Sequence, residues 1–212
     1  MIRDWVFDLD NTLYPAPTLY DEIGQRMNAY IARTLAVDEI RAQELRERYF
    51  HQYGATVCGL VAHHGVNARD FLAYVHDADH SVLSPDPELD ALLARLPGRK
   101  LVFTNGGGGH AQRVLETLGL ARHFAHVFDI EDAGLAPKPQ KQAYERLIAA
   151  HAVAAGTAIL VEDTLKNLEP AHAMGFRTAL VGATHPDPHV AYVDHWAPDV
   201  STFLRRWLDA QG

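Results

Sequence analysis

From residue 86 onward the chain alternates between short apolar runs that stop at polar residues and longer stretches with helical spacing, and this alternation limits the fold more than any other feature. The runs lie at 100–104, 126–130, 158–161 and 177–181. Between them helices are predicted from an Asp86 cap with Pro87 in first position to Gly98, at 111–118, at 140–151, up to Gly175, and from a Ser201 cap onward. A fifth run at 4–8 stands apart, separated from the rest by residues 16–84, which read as helix throughout. In that block Thr18 is the expected first cap, and Gly54 and Gly65 stop two of its helices. The pattern predicts an α/β protein with a parallel sheet covered by helices on both faces and an all-helical insertion after the first strand. Residues 183–200, with three prolines and three histidines, read as an ordered loop.

Composition removes several classes. With 212 residues, 48% of them apolar and 22% charged, the chain reads as an ordinary globular one rather than a disordered or fibrous one. Its 19 basic and 27 acidic residues sum to −8, with no basic block to neutralise a phosphate backbone, so binding to a nucleic-acid polymer is not expected. Cys58 is the single cysteine, which excludes an intrachain disulfide and fits a cytoplasmic protein. No basic leader opens the sequence and no apolar run approaches the roughly 18 residues of a membrane span, so no membrane partner is expected.

In an open parallel sheet, ligands bind at the carboxyl edge of the strands. The predicted strands end there in Asp8-Leu9-Asp10-Asn11-Thr12, in Thr104-Asn105-Gly106 and in Glu162-Asp163, with Lys138 between Pro137 and Pro139 just before a helix. Asp8, Asp10 and Asp163 would form a cluster of hard oxygen ligands suited to Mg²⁺. Crowded carboxylates resist ionisation without a cation. Lys138 adds positive charge, and Thr104, Asn105 and the amides from Gly106 add donors near a helix start, so the assembly reads as a phosphate site.

Blander readings attach to the same residues. Asp8 and Asp10 suit a capped turn, Asp163 a helix N-cap, and Gly108 and Gly109 a flexible connection. The 13 histidines show no zinc-ligand set and are expected in surface or core roles. Cys58 is expected to pack rather than react.

The four segments together resemble the haloacid dehalogenase-like phosphohydrolases: Asp8 to Leu13, Thr104-Asn105-Gly106, Lys138 in its Pro-Lys-Pro setting, and Glu162-Asp163-Thr164 with Asn167. The resemblance implies a Rossmann-like core at 1–15 and 85–212 and a helical cap at 16–84. It implies catalysis by Asp8 as nucleophile and Asp10 as general acid and base, with Thr104 and Lys138 stabilising transferred phosphate. Mg²⁺ is implied on Asp8, the carbonyl of Asp10 and Asp163, with Asn167 in support and Glu162 as a tuning residue outside the metal set. Within the family the chain is most similar to pyrimidine 5'-nucleotidase-like members, through residues 7–15, 53–60, 83–87 and 103–106. This implies a small phosphomonoester substrate, UMP or CMP first, contacted by Asn105, Gly106, Tyr53 and Thr56. Phosphatases for sugar phosphates or phosphoglycolate, a phosphomutase, and a non-catalytic phosphate sensor are the alternatives.

Overall fold

Strand β1, Asp4–Phe7, is buried along its whole length because it lies at the centre of the sheet. The structure is a computed structural model that describes residues 2–211, the side chain of Thr18 excepted. Strands β2 (Arg99–Phe103) and β4 (Ala158–Glu162) flank β1, both parallel to it, with Val6 opposite Leu101 on one side and Leu160 on the other. Strand β3 (His126–Phe128) lies outside β2, and β5 (Arg177–Val181) and β6 (His195–Ala197) lie outside β4, giving the order β3-β2-β1-β4-β5-β6.

Period-two alternation sends side chains to two cores. Trp5, Phe7, Val102, Ile159 and Val161 point to one, where they meet α5 (Pro87–Arg95), α6 (Gly108–Thr117) and α9 (Val200–Asp209) through Leu92, Val114 and Phe203. Val6, Leu101, Phe103 and Leu160 point to the other, against Tyr144 and Leu147 of α7 (Lys141–His151) and Leu168 of α8 (Leu165–Ala173).

Between β1 and α5 the chain forms α1 (Pro17–Leu35), α2 (Glu39–Tyr53), α3 (Thr56–His64) and α4 (Ala68–Val75), which pack on one another. Ile31, Leu45, Leu60, Phe71 and Val75 are their buried residues. Asp38 and Asn67 cap α2 and α4 by accepting from the amides of Arg41 and Asp70. Gly59 lets α3 approach α2 closely: a Cβ there would lie 2.3 Å from the ring of Tyr49. Among the described residues, no helix is long and apolar enough to cross a membrane.

Four expectations need correction. The segment 183–200 holds the edge strand β6, whose three residues are too short to register as an apolar run and are fixed instead by pairing with β5. Helix α6 begins at Gly108, so Gly108 and Gly109 form its first turn rather than a loose connection. Asp199, not Ser201, caps α9, accepting from the Thr202 amide at 2.6 Å. Helix α1 starts at Pro17 after Ala16, one residue ahead of the Thr18 expected as its cap, because proline suits the first helical position.

Candidate active site

Lys138 is 2% exposed, and its ammonium has three acceptors, each at 2.7 Å: Asp8 Oδ1 at the end of β1, Glu162 Oε2 at the end of β4, and the carbonyl of Phe103 at the end of β2. Three donors meet three acceptors, so this buried cation is fully satisfied. Its backbone is held as well: Asn105 accepts from the Lys138 amide at 2.8 Å and donates to its carbonyl at 3.1 Å. Asn105, expected on substrate, thus spends its carboxamide on positioning Lys138.

Asp8 also accepts from the Thr12 hydroxyl at 2.9 Å through Oδ2. Burial, reinforced by the neighbouring Glu162 charge and opposed by Lys138, raises its pKa to about 7. Burial raises Glu162 and Asp163 as well, with the charge of Asp8 adding to the effect on Asp163. Carboxylate oxygens of Asp8, Glu162 and Asp163 lie within 4.8 Å of one another. Glu162 is already committed, to Lys138 through Oε2 and to the Thr164 amide through Oε1 at 3.2 Å. Asp8 shares the single Lys138 charge with Glu162 and meets only the neutral Thr12 hydroxyl on Oδ2, Asp163 has no cationic partner among the described residues, and Asn167 Oδ1, in the wall of the same cavity, is buried without a partner. This donor set fits a divalent cation such as Mg²⁺.

The carboxylate of Asp10 is outside that cluster. Its Oδ1 accepts from the Tyr14 hydroxyl and lies 3.2 Å from His110 Nε2. Burial raises its pKa, but the His110 and Tyr14 hydrogen bonds outweigh that and hold it below the usual carboxylate range. His110 stacks on His76 with ring centroids 4.7 Å apart and meets His80 on its other nitrogen at 3.1 Å. Sequence reading missed Tyr14 and all three histidines. The histidines lie on separate elements, so no spacing signals their convergence.

Asp10, His76 and His110, but not Tyr14 or His80, line a cavity of about 650 Å³ between the carboxyl edge of the sheet and α1 to α4. Asp8, Asp10, Thr104, Asn105, Gly106, Lys138, Glu162, Asp163 and Asn167 lie in its wall, with Tyr20, Arg46, Phe50 and Thr56 on the helical side. Thr104 Oγ1 accepts from the Gly106 amide at 2.9 Å, closing the turn after β2. Thr56 donates its hydroxyl to the Arg46 carbonyl. Tyr53, expected to touch substrate, is not in the wall: its hydroxyl pairs with His63 Nε2 and its ring packs on Tyr49. The Cys58 thiol donates to the Leu135 carbonyl, and burial pushes its pKa to about 11, which is wrong for a nucleophile.

Residues 5–175 match the family model of haloacid dehalogenase-like hydrolases. Over 131 residues, 56% of this chain, the sequence is 34% identical to Phosphate metabolism protein 8 of Saccharomyces cerevisiae, of which it spans 40%. Among solved structures it resembles the L-2-haloacid dehalogenase of Xanthobacter autotrophicus with a TM-score of 0.61 at 17% identity, over 98% of this chain and 99% of that one. A HAD phosphatase of Thermococcus onnurineus matches with a TM-score of 0.63 at 17% identity, over 100% of this chain and 98% of that one. The HAD-hydrolase YfnB of Bacillus subtilis, solved bound to magnesium, matches with a TM-score of 0.63 at 15% identity, over 97% and 98%. At such identities these structures establish the fold alone.

Proposed function

Since the chain belongs to the haloacid dehalogenase-like hydrolases, we propose that it is a cytoplasmic, Mg²⁺-dependent phosphomonoester hydrolase working through an aspartyl phosphate on Asp8. The observation that carries this reading is the second carboxyl, Asp10, in the wall of the same cavity as Asp8. A departing halide needs no proton, whereas a departing alkoxide does, and a carboxyl held beside the nucleophile can supply it.

In the first half-reaction an Asp8 oxygen attacks phosphorus, a new O–P bond forms, and the ester O–P bond breaks with its electron pair on the alkoxide. Asp10 protonates that alkoxide. In the second half Asp10 takes a proton from water, whose oxygen attacks phosphorus and releases Asp8 with inorganic phosphate. Lys138 holds Asp8 in place and offsets charge gathering on the phosphoryl oxygens, and the turn built by Thr104 and Gly106 forms the neighbouring wall. A divalent cation held by Asp8, Asp163 and the carbonyl of Asp10, with Asn167 behind them, would supply the positive charge that an anionic substrate requires in this acidic wall.

Residues 16–84 act in this reading as a cap over a core made of 1–15 and 85–212, and α1 to α4 determine the leaving group. Pyrimidine nucleoside 5'-monophosphates, UMP and CMP first, are the proposed substrates. The motif likeness and a cavity roomy enough for a small ligand support them. The test is phosphate release from a panel of nucleotides, sugar phosphates and phosphoglycolate, with and without Mg²⁺. Release from UMP or CMP above the rest, abolished by chelator, is expected. Preference for a non-nucleotide ester removes the substrate assignment, and no release from any ester removes the hydrolase reading.

A further inference from the structure

Asp10 lies at the end of a chain of hydrogen bonds that starts on the backbone. His80, in the 3-10 turn His80–Val82 after α4, has Nδ1 2.8 Å from the carbonyl of Ala78. A carbonyl oxygen has no proton to give, so His80 Nδ1 carries one, and in the neutral ring Nε2 is bare. That bare nitrogen lies 3.1 Å from His110 Nδ1, which therefore donates. The single proton of a neutral His110 is then committed to His80, and its bare Nε2 faces Asp10 Oδ1 at 3.2 Å. Lone pair would meet lone pair there unless one further proton lies between the two atoms. Both rings are buried, His110 at 2% and His80 at 8% exposed, so bulk water does not relieve the conflict.

We propose that His80 and His110 are positioning residues for Asp10. The Ala78 carbonyl, through two imidazoles of fixed tautomer, keeps one proton on the contact between His110 Nε2 and Asp10 Oδ1. That proton and the Tyr14 hydroxyl occupy Oδ1 together, so the proton given to the alkoxide is a separate one carried on Oδ2, the oxygen left to face the ester and the one that the proton from water reloads in the second half-reaction. His80 has no hydrogen bond to Asp10 and is not itself part of the cavity wall, so it acts through His110.

This inference rests on the phosphomonoester reading, and leaving-group chemistry separates the two. A nitrophenolate departs without protonation, whereas an alkoxide requires it. Single-turnover release of uridine from UMP and of nitrophenolate from p-nitrophenyl phosphate, which reads the first half-reaction alone, is measured for the wild type, for His80→Leu, which removes the acceptor, and for His80→Gln, which restores an acceptor oxygen at the same reach. His80→Leu is expected to slow uridine release about tenfold at saturating UMP and to leave nitrophenolate release within about twofold; His80→Gln should recover most of the loss. Nitrogen-15 shifts of the wild-type imidazoles should show His80 protonated on Nδ1 and His110 donating from Nδ1. Equal loss on both esters, or a His80 proton on Nε2, overturns the proposal. A wild type inert toward both esters overturns the phosphatase reading instead, and the ring shifts still decide the inference.

Discussion

Lys138 is the residue on which the site's electrostatics turn, because it alone separates two buried carboxylates. Lys138→Met leaves Asp8 and Glu162 side by side without a counter-charge, and urea unfolding is expected to show a loss of about 3–5 kcal/mol. Asp8→Asn should act in the opposite way. It removes a carboxylate that burial already disfavours, so the unfolding midpoint should hold or rise, while phosphate release falls by about three orders of magnitude or more. At this scale the sequence was informative where chemistry clusters at strand ends: Asp8, Asp10, Lys138 and Asp163 could be picked out from their positions. What Glu162 and Asn105 do could not be read. Whether a carboxylate binds a metal or an ammonium depends on which neighbour reaches it first, and Lys138 arrives from a loop 24 residues upstream of Glu162. The histidines were still less legible, since their partnership exists only across α4, the turn at His80 and α6.

Helix α6 shows how an element boundary can depend on one missing carbon. The Asp129 carboxylate, at the end of β3, accepts from the amides of Gly108, Glu131 and Asp132 and so ties the start of the helix to the sheet. A Cβ on Gly108 would lie 2.8 Å from Asp129 Oδ2, whereas one on Gly109 would meet only the tip of Arg113 at 3.9 Å. Gly108→Ala is therefore expected to destabilise by about 1–2 kcal/mol, and Gly109→Ala to stabilise by about 0.5–1 kcal/mol through the helix propensity of alanine. Paired thermal melts of the two variants check both signs. The four consecutive glycines hid this difference from sequence reading, which counts residue types and cannot see that one amide caps a helix. The same limit explains β6: three residues carry no period of their own, and the strand exists because β5 offers a free edge.

At the scale of the whole molecule, one ring makes stability fall on acidification in a defined window, while the raised carboxyls of Asp8, Glu162 and Asp163 act with the opposite sign. Burial, with His110, Arg113 and His80 close by, lowers the pKa of His76 from 6.5 to about 3, against an opposing pull from Asp10. Between those values the unfolded chain binds a proton that the folded chain refuses. Stability therefore falls as pH drops through the window, by up to about 1.4 kcal/mol per pH unit from this group, and is unaffected by it above pH 7. Urea midpoints of the wild type and His76→Phe are compared at pH 7 and pH 4.5, and the midpoint should fall less between the two in the variant. Mg²⁺ should raise the melting temperature of the wild type and not that of Asp163→Asn, since a ligand stabilises only the state that binds it. The alternation of strand and helix made the layered architecture legible at this scale, because a parallel sheet buried on both faces leaves a continuous apolar signature in every strand.

The central place of β1 also bears on how the protein is made. Its two hydrogen-bonding neighbours, β2 and β4, are encoded far downstream, the second beginning at Ala158. At a ribosomal pace of about 5–20 residues per second, Trp5, Val6 and Phe7 wait roughly 10–30 s for a complete set of partners. Until β2 at Arg99–Phe103 has been made, the structure able to assemble behind them is the bundle of α1 to α4, whose contacts are local. The nascent chain is thus expected to carry a finished helical bundle beside an unpaired, sticky strand, and that stretch is where a chaperone would find it.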